Sequence, residues 1–301
     1  MQALLIMGPT ASGKSALALA LAERLDGEIV NADSMQVYRD LHVLTARPSA
    51  EETARIPHHL YGHVDASERY SAGRWLNDAV TVIEDISSRG RAPIVVGGTG
   101  LYFKALTQGL APAPAAPAEH RARLVEEMRT EGASALHARL MRLDPAAAKR
   151  IAPADAPRIL RALEVAESGA LLSELQHEAK PALYEWCGFL LWPERAALYA
   201  AIEARFDAML QHGALDEARS LAARGLDPAL PAMKAHGAPA LMAHLRGEMT
   251  LEAAAEIAKR DTRRYAKRQF TWMAHQNPDW PRLEAATLAD RLDWVRQRFK
   301  L

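Results

Sequence analysis

Short apolar runs alternate with amphipathic stretches over the first hundred residues. Four runs have the length of buried strands, and they occupy residues 3–7, 28–30, 59–64 and 93–96. The stretch at 14–25 repeats leucine at the spacing of one helical face, and we expect Gly27 to end this helix. A second helix is expected over 72–90. The alternation predicts a parallel sheet covered by helices on both faces, with ligands at the carboxyl ends of the strands.

A proline- and alanine-rich segment, "APAPAAP" at 111–117, interrupts this pattern and is typical of a stiff hinge. Two helical stretches follow it with no strand between them. We therefore expect a core over 1–112 and 154–301, interrupted by a helical insertion domain at 113–153. A helix over 157–169 and a last strand at 187–192 are expected next, and everything after Pro193 has a helical pattern.

The segment "GPTASGKS" joins the first strand to the first helix and matches the pattern G-x-x-x-x-G-K-S/T. Glycines in such a loop let successive backbone N–H groups point at one anion, and the helix N-terminus adds partial positive charge. A lysine supplies a point charge, and the Ser15 hydroxyl suits Mg²⁺. The predicted phosphate-binding residues are Gly8, Pro9, Thr10, Ala11, Ser12, Gly13, Lys14 and Ser15. The expected fold is thus a P-loop NTPase-like α/β fold, a parallel sheet flanked by helices.

The motif does not decide the reaction. Nucleotide hydrolases of this fold usually hold Mg²⁺ with an additional strand-end aspartate, whereas the run at 93–96 is followed by "GGTGLY". A small-molecule kinase, with the insertion as a lid, remains an alternative, and so does a non-catalytic RNA-binding switch. Asp33 follows the second strand and could be a general base, or it could merely cap the next helix.

A basic segment lies near the C-terminus, at 259–275. Its cations are Lys259, Arg260, Arg263, Arg264, Lys267 and Arg268, and only Asp261 opposes them, so six minus one gives a local charge of +5. Aromatic residues are interleaved with these cations, which suits RNA phosphates and stacked bases. A solvated charged face is the other interpretation.

Composition narrows the setting of the protein. Lys and Arg together number 37, as do Asp and Glu, so a polyanion would have to meet a local basic patch. The single cysteine excludes an internal disulfide and favours a reducing compartment. No leader-like segment and no apolar run of about 18 residues is present, so we expect a cytoplasmic protein that does not enter a membrane.

Several segments, taken in order, resemble the bacterial tRNA dimethylallyltransferase family. They are "GPTASGKS", "NADSMQVYRD", "TARP", "PHHL", "IVVGGTGLYFKAL", "APRILRALEV", "IEARFDAMLQHGALDE" and "TRRYAKRQFTW". The resemblance covers nearly the whole chain. It implies transfer of a dimethylallyl group from its diphosphate to N6 of adenine 37 in the tRNA anticodon loop, by a monomer that uses Mg²⁺. The first loop would then hold the diphosphate as a leaving group.

The resemblance also implies roles for individual residues. Asp33 would be the general base, Thr99 would bond near the bridging oxygen, and Arg205 would clamp the diphosphate. Without the resemblance, Arg205 has the pattern of a solvated helix charge. The implied tRNA-binding residues are Asp33, Ser34, Met35, Gln36, Thr99, Arg121, Pro157, Arg158, Ile159, Leu160, Arg161, Lys267, Arg268 and Gln269. The chain departs from the family at Leu44, Ala238 and Ala274, where glycine, tyrosine and arginine are usual.

Overall fold

The computed structural model describes residues 2–114, 117–183 and 185–300. The chain divides into two compact units, one formed by Met1–Thr107 with Leu183–Leu301 and the other by Gln108–Ala182. The expected insertion at 113–153 lies within the second unit, which extends beyond it at both ends. That residues 113–153 form a separate insertion domain stays a prediction.

A parallel sheet forms the centre of the first unit. Its strands are β1 (Ala3–Met7), β2 (Gly27–Asn31), β3 (His58–His59), β4 (Ala92–Gly97), β5 (Trp186–Leu191) and β6 (Arg282–Leu283). They lie in the order β3-β2-β4-β1-β5-β6, and every pair is parallel. The predicted α/β fold with a parallel sheet is confirmed.

Helices account for most of the remaining regular structure. In chain order they are α1 (Lys14–Arg24), α2 (Ala50–Arg55), α3 (Ala72–Ser88), α4 (Gly100–Gln108), α5 (Ala118–Glu131), α6 (Ala133–Leu143), α7 (Pro145–Arg150), α8 (Ala156–Ala166), α9 (Leu172–Leu175), α10 (Arg195–Gln211), α11 (Ala214–Ala223), α12 (Ala238–Leu245), α13 (Leu251–Gln276) and α14 (Leu288–Phe299). Within the described residues, none has both the length and the apolar character needed to cross a bilayer.

Both faces of the sheet are buried. Successive side chains of a strand point to opposite faces. Accordingly, Leu5 and Met7 of β1 pack into one apolar core, while Leu4 and Ile6 pack into the other. Burial on both sides explains why β1 and β4 are continuous apolar runs rather than alternating ones. The carboxyl ends of these strands therefore form a rigid edge.

Three expectations about local structure were wrong. Gly27 does not end the first helix, which stops at Arg24, but begins β2, where a Cβ would come within 2.8 Å of the Ala92 carbonyl oxygen. The strand expected at 59–64 is limited to β3, because positive φ angles at Leu60 and Gly62 turn the chain out of the sheet. The region after Pro193 is not entirely helical, since β6 extends the sheet.

The second unit is helical. Helices α5 and α6 confirm the two stretches predicted after the hinge, and α8 covers most of the helix predicted over 157–169. Leu124, Leu140 and Leu163 belong to its own apolar core. Within the predicted hinge at 111–117, residues 115 and 116 lie outside the described residues, and the others form neither helix nor strand. The stiffness of the hinge stays a prediction.

Candidate active site

The loop between β1 and α1 has the backbone form of an anion site. Ala11 and Gly13 have positive φ angles of 62° and 81°. The N-cap of α1 is Gly13, which has no side chain to satisfy the first N–H groups of the helix. Those groups are available to an anion, and the helix dipole favours it. Close packing also requires Gly8, because a Cβ there would lie 2.9 Å from Leu191 Cβ.

Lys14 carries the positive charge of this loop, and its environment shifts its pKa. Its Nζ donates to the Pro9 carbonyl oxygen at 3.3 Å. Desolvation of the half-buried ammonium lowers its pKa to about 8, Asp33 acts in the opposite direction, and Arg205 lowers it slightly further. A bound anion would restore the charged form. The loop is therefore better suited to a multiply charged phosphate group than to a neutral ligand.

Two hydroxyl groups of the loop have no hydrogen-bond partner within the part of the chain that is described. Ser12 Oγ is buried. The Ser15 side chain is exposed in the first turn of α1. This exposed hydroxyl fits a metal ion that is shared with phosphate oxygens. No group of three or more His, Cys, Asp or Glu side chains that could hold a metal occurs among the described residues.

Asp33 lies just beyond the carboxyl end of β2. Its backbone N–H donates to Asn31 Oδ1 at 2.8 Å, and its own Oδ1 accepts from the Met35 N–H at 2.9 Å. These contacts close a turn rather than cap a helix, since the next helix is α2. The other carboxylate oxygen, Oδ2, makes no hydrogen bond or ion pair within residues 2–114, 117–183 and 185–300. It can therefore receive a proton.

Thr99 joins the loop after β4 to the turn at Asp33. Its N–H donates to the Ala32 carbonyl oxygen at 3.1 Å, and its Oγ1 accepts from the Ser34 N–H at 2.9 Å. Parallel strands end at the same edge of a sheet, which is why residues so distant in sequence meet here. The two loops are held together before any ligand binds.

Arg205 reaches the phosphate loop from α10. Its guanidinium donates to Thr10 Oγ1. The side chain is half-buried, and desolvation lowers its pKa although Asp33 acts in the opposite direction. It is therefore not the solvated helix charge that its local pattern suggests. A guanidinium in this position can bind phosphate with directional hydrogen bonds.

A cleft that is open to solvent adjoins these groups. One part of its wall is polar and the other is apolar. The lining residues are Thr10, Asp33, Met35, Leu44, Thr45, Ile202, Arg205, Phe206, Met209, His236, Thr262 and Tyr265. The lining thus places groups that suit an anion beside groups that suit a hydrocarbon.

Sequence reasoning missed His236 in this wall. It precedes α12, and its imidazole packs against the Tyr265 ring with centroids 4.5 Å apart. Burial lowers its pKa, and Arg268 adds to this effect, so the ring is neutral near pH 7. No local pattern marks this histidine, because its neighbours in the cavity come from other parts of the chain. Arg291 of α14 was also missed, although its guanidinium donates to the Ser12 carbonyl oxygen at 3.0 Å.

The basic helix α13 exposes fewer free cations than its composition suggests. Four of its cations pair with acidic side chains: Lys259 with Asp207, Arg260 and Arg264 with Asp261, and Arg263 with Glu203. Lys267 and Arg268 are exposed and have no acidic partner within the described ranges. Phe270 is only 4 % exposed and packs on Trp192, so it belongs to the core rather than to a base-stacking surface.

The other expected RNA-contacting residues of the first unit have different environments. Ser34 is tied to Thr99, and Met35 lines the cavity. Gln36 Nε2 donates to the Thr45 carbonyl oxygen at 2.9 Å. Gln269 is 6 % exposed, with both ends of its amide bonded to backbone, so its side chain does not offer a direct RNA contact.

In the second unit, Arg121 and Arg161 converge on one carboxylate. Both guanidinium groups pair with Glu164, whose side chain is 3 % exposed. Pro157 and Arg158 are exposed at the start of α8, and Leu160 is half-buried. Ile159 is 0 % exposed in the helical core, so its side chain cannot meet RNA in this conformation. The remaining RNA contacts stay predictions.

Fold and site together define a class. A parallel α/β sheet carries a P-loop at its carboxyl edge, and that loop faces a cavity with an apolar wall and a free carboxylate oxygen. Such a site is arranged for transfer of a group that is attached to phosphate. The family description "IPP transferase" matches residues 36–276, and "Isopentenyl transferase" matches residues 1–62.

Relatives and solved structures agree with this class. A tRNA dimethylallyltransferase of Phenylobacterium zucineum is 59 % identical over 93 % of this chain and 92 % of its own length, and one of Nitrobacter hamburgensis is 57 % identical over 92 % and 89 %. The crystal structure of a tRNA isopentenylpyrophosphate transferase from Bacillus halodurans has a TM-score of 0.71 at 34 % identity, covering 99 % of this chain and 96 % of that one. A eukaryotic dimethylallyltransferase acting on tRNA has a TM-score of 0.81 at 30 % identity, covering 99 % and 77 %. The chain belongs to the tRNA dimethylallyltransferase family, a family of prenyltransferases.

Proposed function

We propose that this protein transfers a dimethylallyl group from dimethylallyl diphosphate to N6 of adenine 37 in tRNA and releases diphosphate. One observation carries the proposal. A single cavity brings Thr10 of the phosphate loop, Asp33 and Arg205 against an apolar wall. The names of the relatives support the same reaction.

In this proposal the donor lies with its charged end in the loop Gly8–Ser15. Lys14, Arg205 and the N–H groups at the start of α1 bind the diphosphate, and Leu44 and Phe206 contact the hydrocarbon end. Negative charge grows on the diphosphate as the allylic C–O bond breaks. Fixed donors that match this charge lower the barrier, because they need no reorganisation during the reaction.

Asp33 acts as the general base. The amine nitrogen of adenine forms a bond to the allylic carbon, the bonding electrons of the C–O bond leave with the diphosphate, and Asp33 Oδ2 accepts the amine proton. The Met35 N–H holds the carboxylate through Oδ1, Asn31 Oδ1 holds the backbone N–H of Asp33, and Oδ2 stays free. Thr99, which is hydrogen-bonded to the same turn, bonds near the bridging oxygen of the donor in this proposal.

Mg²⁺ fits this site. Ser15 offers an exposed hydroxyl beside the proposed diphosphate. Mg²⁺ usually keeps several waters and binds through one or two protein ligands with substrate phosphates. When bound, the ion would neutralise part of the charge on the leaving group. We further propose that the protein acts in the cytoplasm as a monomer.

The RNA contacts are proposed on two surfaces. In the first unit, Lys267 and Arg268 offer free positive charge. In the second unit, Arg121 and Arg161 share the single buried carboxylate of Glu164, which orients both and leaves one positive charge in excess. Arg158 lies exposed on the same helix and pairs with Asp155 at 3.5 Å. The target base must leave its stack to reach the cavity, which costs a few kcal/mol and favours an unpaired loop adenine.

The test uses Mg²⁺, dimethylallyl diphosphate and a tRNA with adenines at positions 36, 37 and 38. We expect a mass gain at adenine 37, and its absence would refute the function.

Asp33→Asn should slow transfer by roughly 10²- to 10⁴-fold, since a positioned base contributes about that much, and should still bind diphosphate. Asp279→Asn, the same change at an exposed position, is the matched control. A wild-type rate in Asp33→Asn would exclude this carboxylate as the base.

A further inference from the structure

Gln269 is a buried amide on the inward face of α13. It is 6 % exposed. Its Oε1 accepts from the Thr10 N–H at 2.9 Å, and its Nε2 donates to the Gly98 carbonyl oxygen at 2.9 Å. One side chain therefore connects the loop after β1 with the loop after β4, and it does so through backbone groups.

Gln269 is a polar side chain among buried neighbours that are mostly apolar. The buried residues around it on α13 include Ala266, Phe270 and Met273, which fill space without hydrogen bonds. A buried amide costs stability unless its donor and acceptor are both satisfied. Here both are satisfied by the two loops of the site, and the described residues offer no other partner. The contact selects one arrangement of those loops.

Thr10 gives this contact a functional meaning. Its N–H donates a hydrogen bond to Gln269 Oε1, and its hydroxyl oxygen accepts one from the Arg205 guanidinium. The residue is thus held on both sides, within the loop that we propose to bind diphosphate. A change at Gln269 would free the backbone of Thr10 and also disturb the position at which Arg205 meets the loop.

Gly98 supplies a second, separate observation. A Cβ added to Gly98 would lie 2.2 Å from Gln269 Nε2, and the backbone there has no positive φ. Space, rather than backbone conformation, therefore requires glycine at this position: the amide is the closest neighbour, and the Gly8 carbonyl oxygen follows at 3.2 Å. The loop after β4 is shaped to receive the side chain from α13.

We propose that Gln269 is a positioning residue that holds the phosphate loop in its anion-binding form and sets its distance from the Thr99 loop. This rests on the proposed function for the identity of the anion. The resemblance alone would place Gln269 among direct tRNA contacts, and the two roles differ in what they do to diphosphate binding when no RNA is present.

The test compares Gln269→Leu with Gln276→Leu. Gln276 lies on the same helix, is half-buried and accepts a tertiary hydrogen bond from Lys104 Nζ at 3.1 Å, but it does not line the cavity. The probe is inorganic diphosphate with Mg²⁺, titrated calorimetrically without RNA. Losing one satisfied buried amide should weaken binding by roughly 10- to 100-fold in Gln269→Leu and by less than about twofold in the control.

Steady-state kinetics separate positioning from direct RNA contact. We expect kcat/KM for dimethylallyl diphosphate to fall in Gln269→Leu by about the same factor as the diphosphate affinity. An effect confined to the KM for tRNA, with wild-type diphosphate affinity, would overturn the proposal. Wild-type behaviour in both measurements would also overturn it.

A second variant, Gly98→Ala, tests the same contact from the opposite side and keeps the proposal testable if Gln269→Leu fails to fold. Its Cβ should displace the amide and reproduce the loss of diphosphate affinity. In a Gln269→Ala background the close contact with the amide is removed and only the 3.2 Å approach to the Gly8 carbonyl oxygen is left, so the combined effect should be clearly smaller than the sum of the two single effects. Full additivity would refute the shared contact. If the wild-type protein bound diphosphate through Gln269 but transferred no prenyl group, the proposed function would fail while the role of Gln269 in anion binding would stand.

Discussion

Diphosphate binding should take up a proton at Lys14. The pKa of this ammonium is about 8 in the anion-free loop, against an ordinary value of 10.5, chiefly because burial disfavours the charge. A bound diphosphate favours the charged form and raises the pKa. The free loop therefore loses its lysine charge as the pH rises through about 8, and the affinity for diphosphate falls from that point upward.

The magnitude follows from these two values. If the bound lysine is fully charged, affinity should fall about tenfold between pH 7 and pH 9. If binding restored the ordinary pKa of 10.5, the difference of 2.5 pKa units would correspond to roughly 3 kcal/mol, or about 300-fold, as the limit at high pH. Below pH 7 the lysine contribution to the pH dependence should vanish, because the free loop is already charged.

Calorimetry measures this directly. Titrations of diphosphate with Mg²⁺ between pH 7 and 9.5, in buffers of different ionisation enthalpy, report the number of protons taken up. Diphosphate also titrates in this range, so Lys14→Arg is the reference, since its guanidinium stays charged. The same pH dependence of affinity in the wild type and in Lys14→Arg would refute proton uptake at Lys14.

Two further predictions concern stability and donor choice. Glu28 is 1 % exposed, and its pKa is lowered to about 2, chiefly by hydrogen bonds from Arg89. Its ionised carboxylate therefore stabilises the fold fully above pH 4.5, and this contribution disappears as the pH falls toward 2. Glu28→Gln should lose about 3 kcal/mol of unfolding free energy at pH 7 and less at pH 3, measured by urea unfolding; an equal loss at both pH values would contradict the assignment. Leu44→Ala should enlarge the apolar wall and raise the rate with geranyl diphosphate relative to dimethylallyl diphosphate by roughly tenfold or more in a competition assay. An unchanged ratio would show that Leu44 does not limit donor length.

Local sequence determined the phosphate loop and most of the regular elements. The pattern from Gly8 to Ser15 defines a backbone form that depends on glycines and on the helix that follows, so it is recognisable without any distant contact. The alternation of apolar runs and helices predicted the parallel sheet for a similar reason, because strands buried on both faces must be continuously apolar. The resemblance to a family supplied the roles of the remaining site residues. No local pattern distinguishes a residue such as Arg205 from an ordinary surface charge.

Tertiary structure decided which groups meet and which are free. Asp33, Arg205 and His236 come together only because parallel strands end at one edge and α10 and the chain before α12 pack against it. The pairing of four cations on α13 with acidic side chains, and the burial of Gln269 between two loops, depend on neighbours far away in sequence. Periodicity along the sequence indicates which face of a helix is polar. Hydrogen bonds between distant residues, in contrast, depend on how the elements pack. That packing places the other groups of the prenyltransferase site around the phosphate loop.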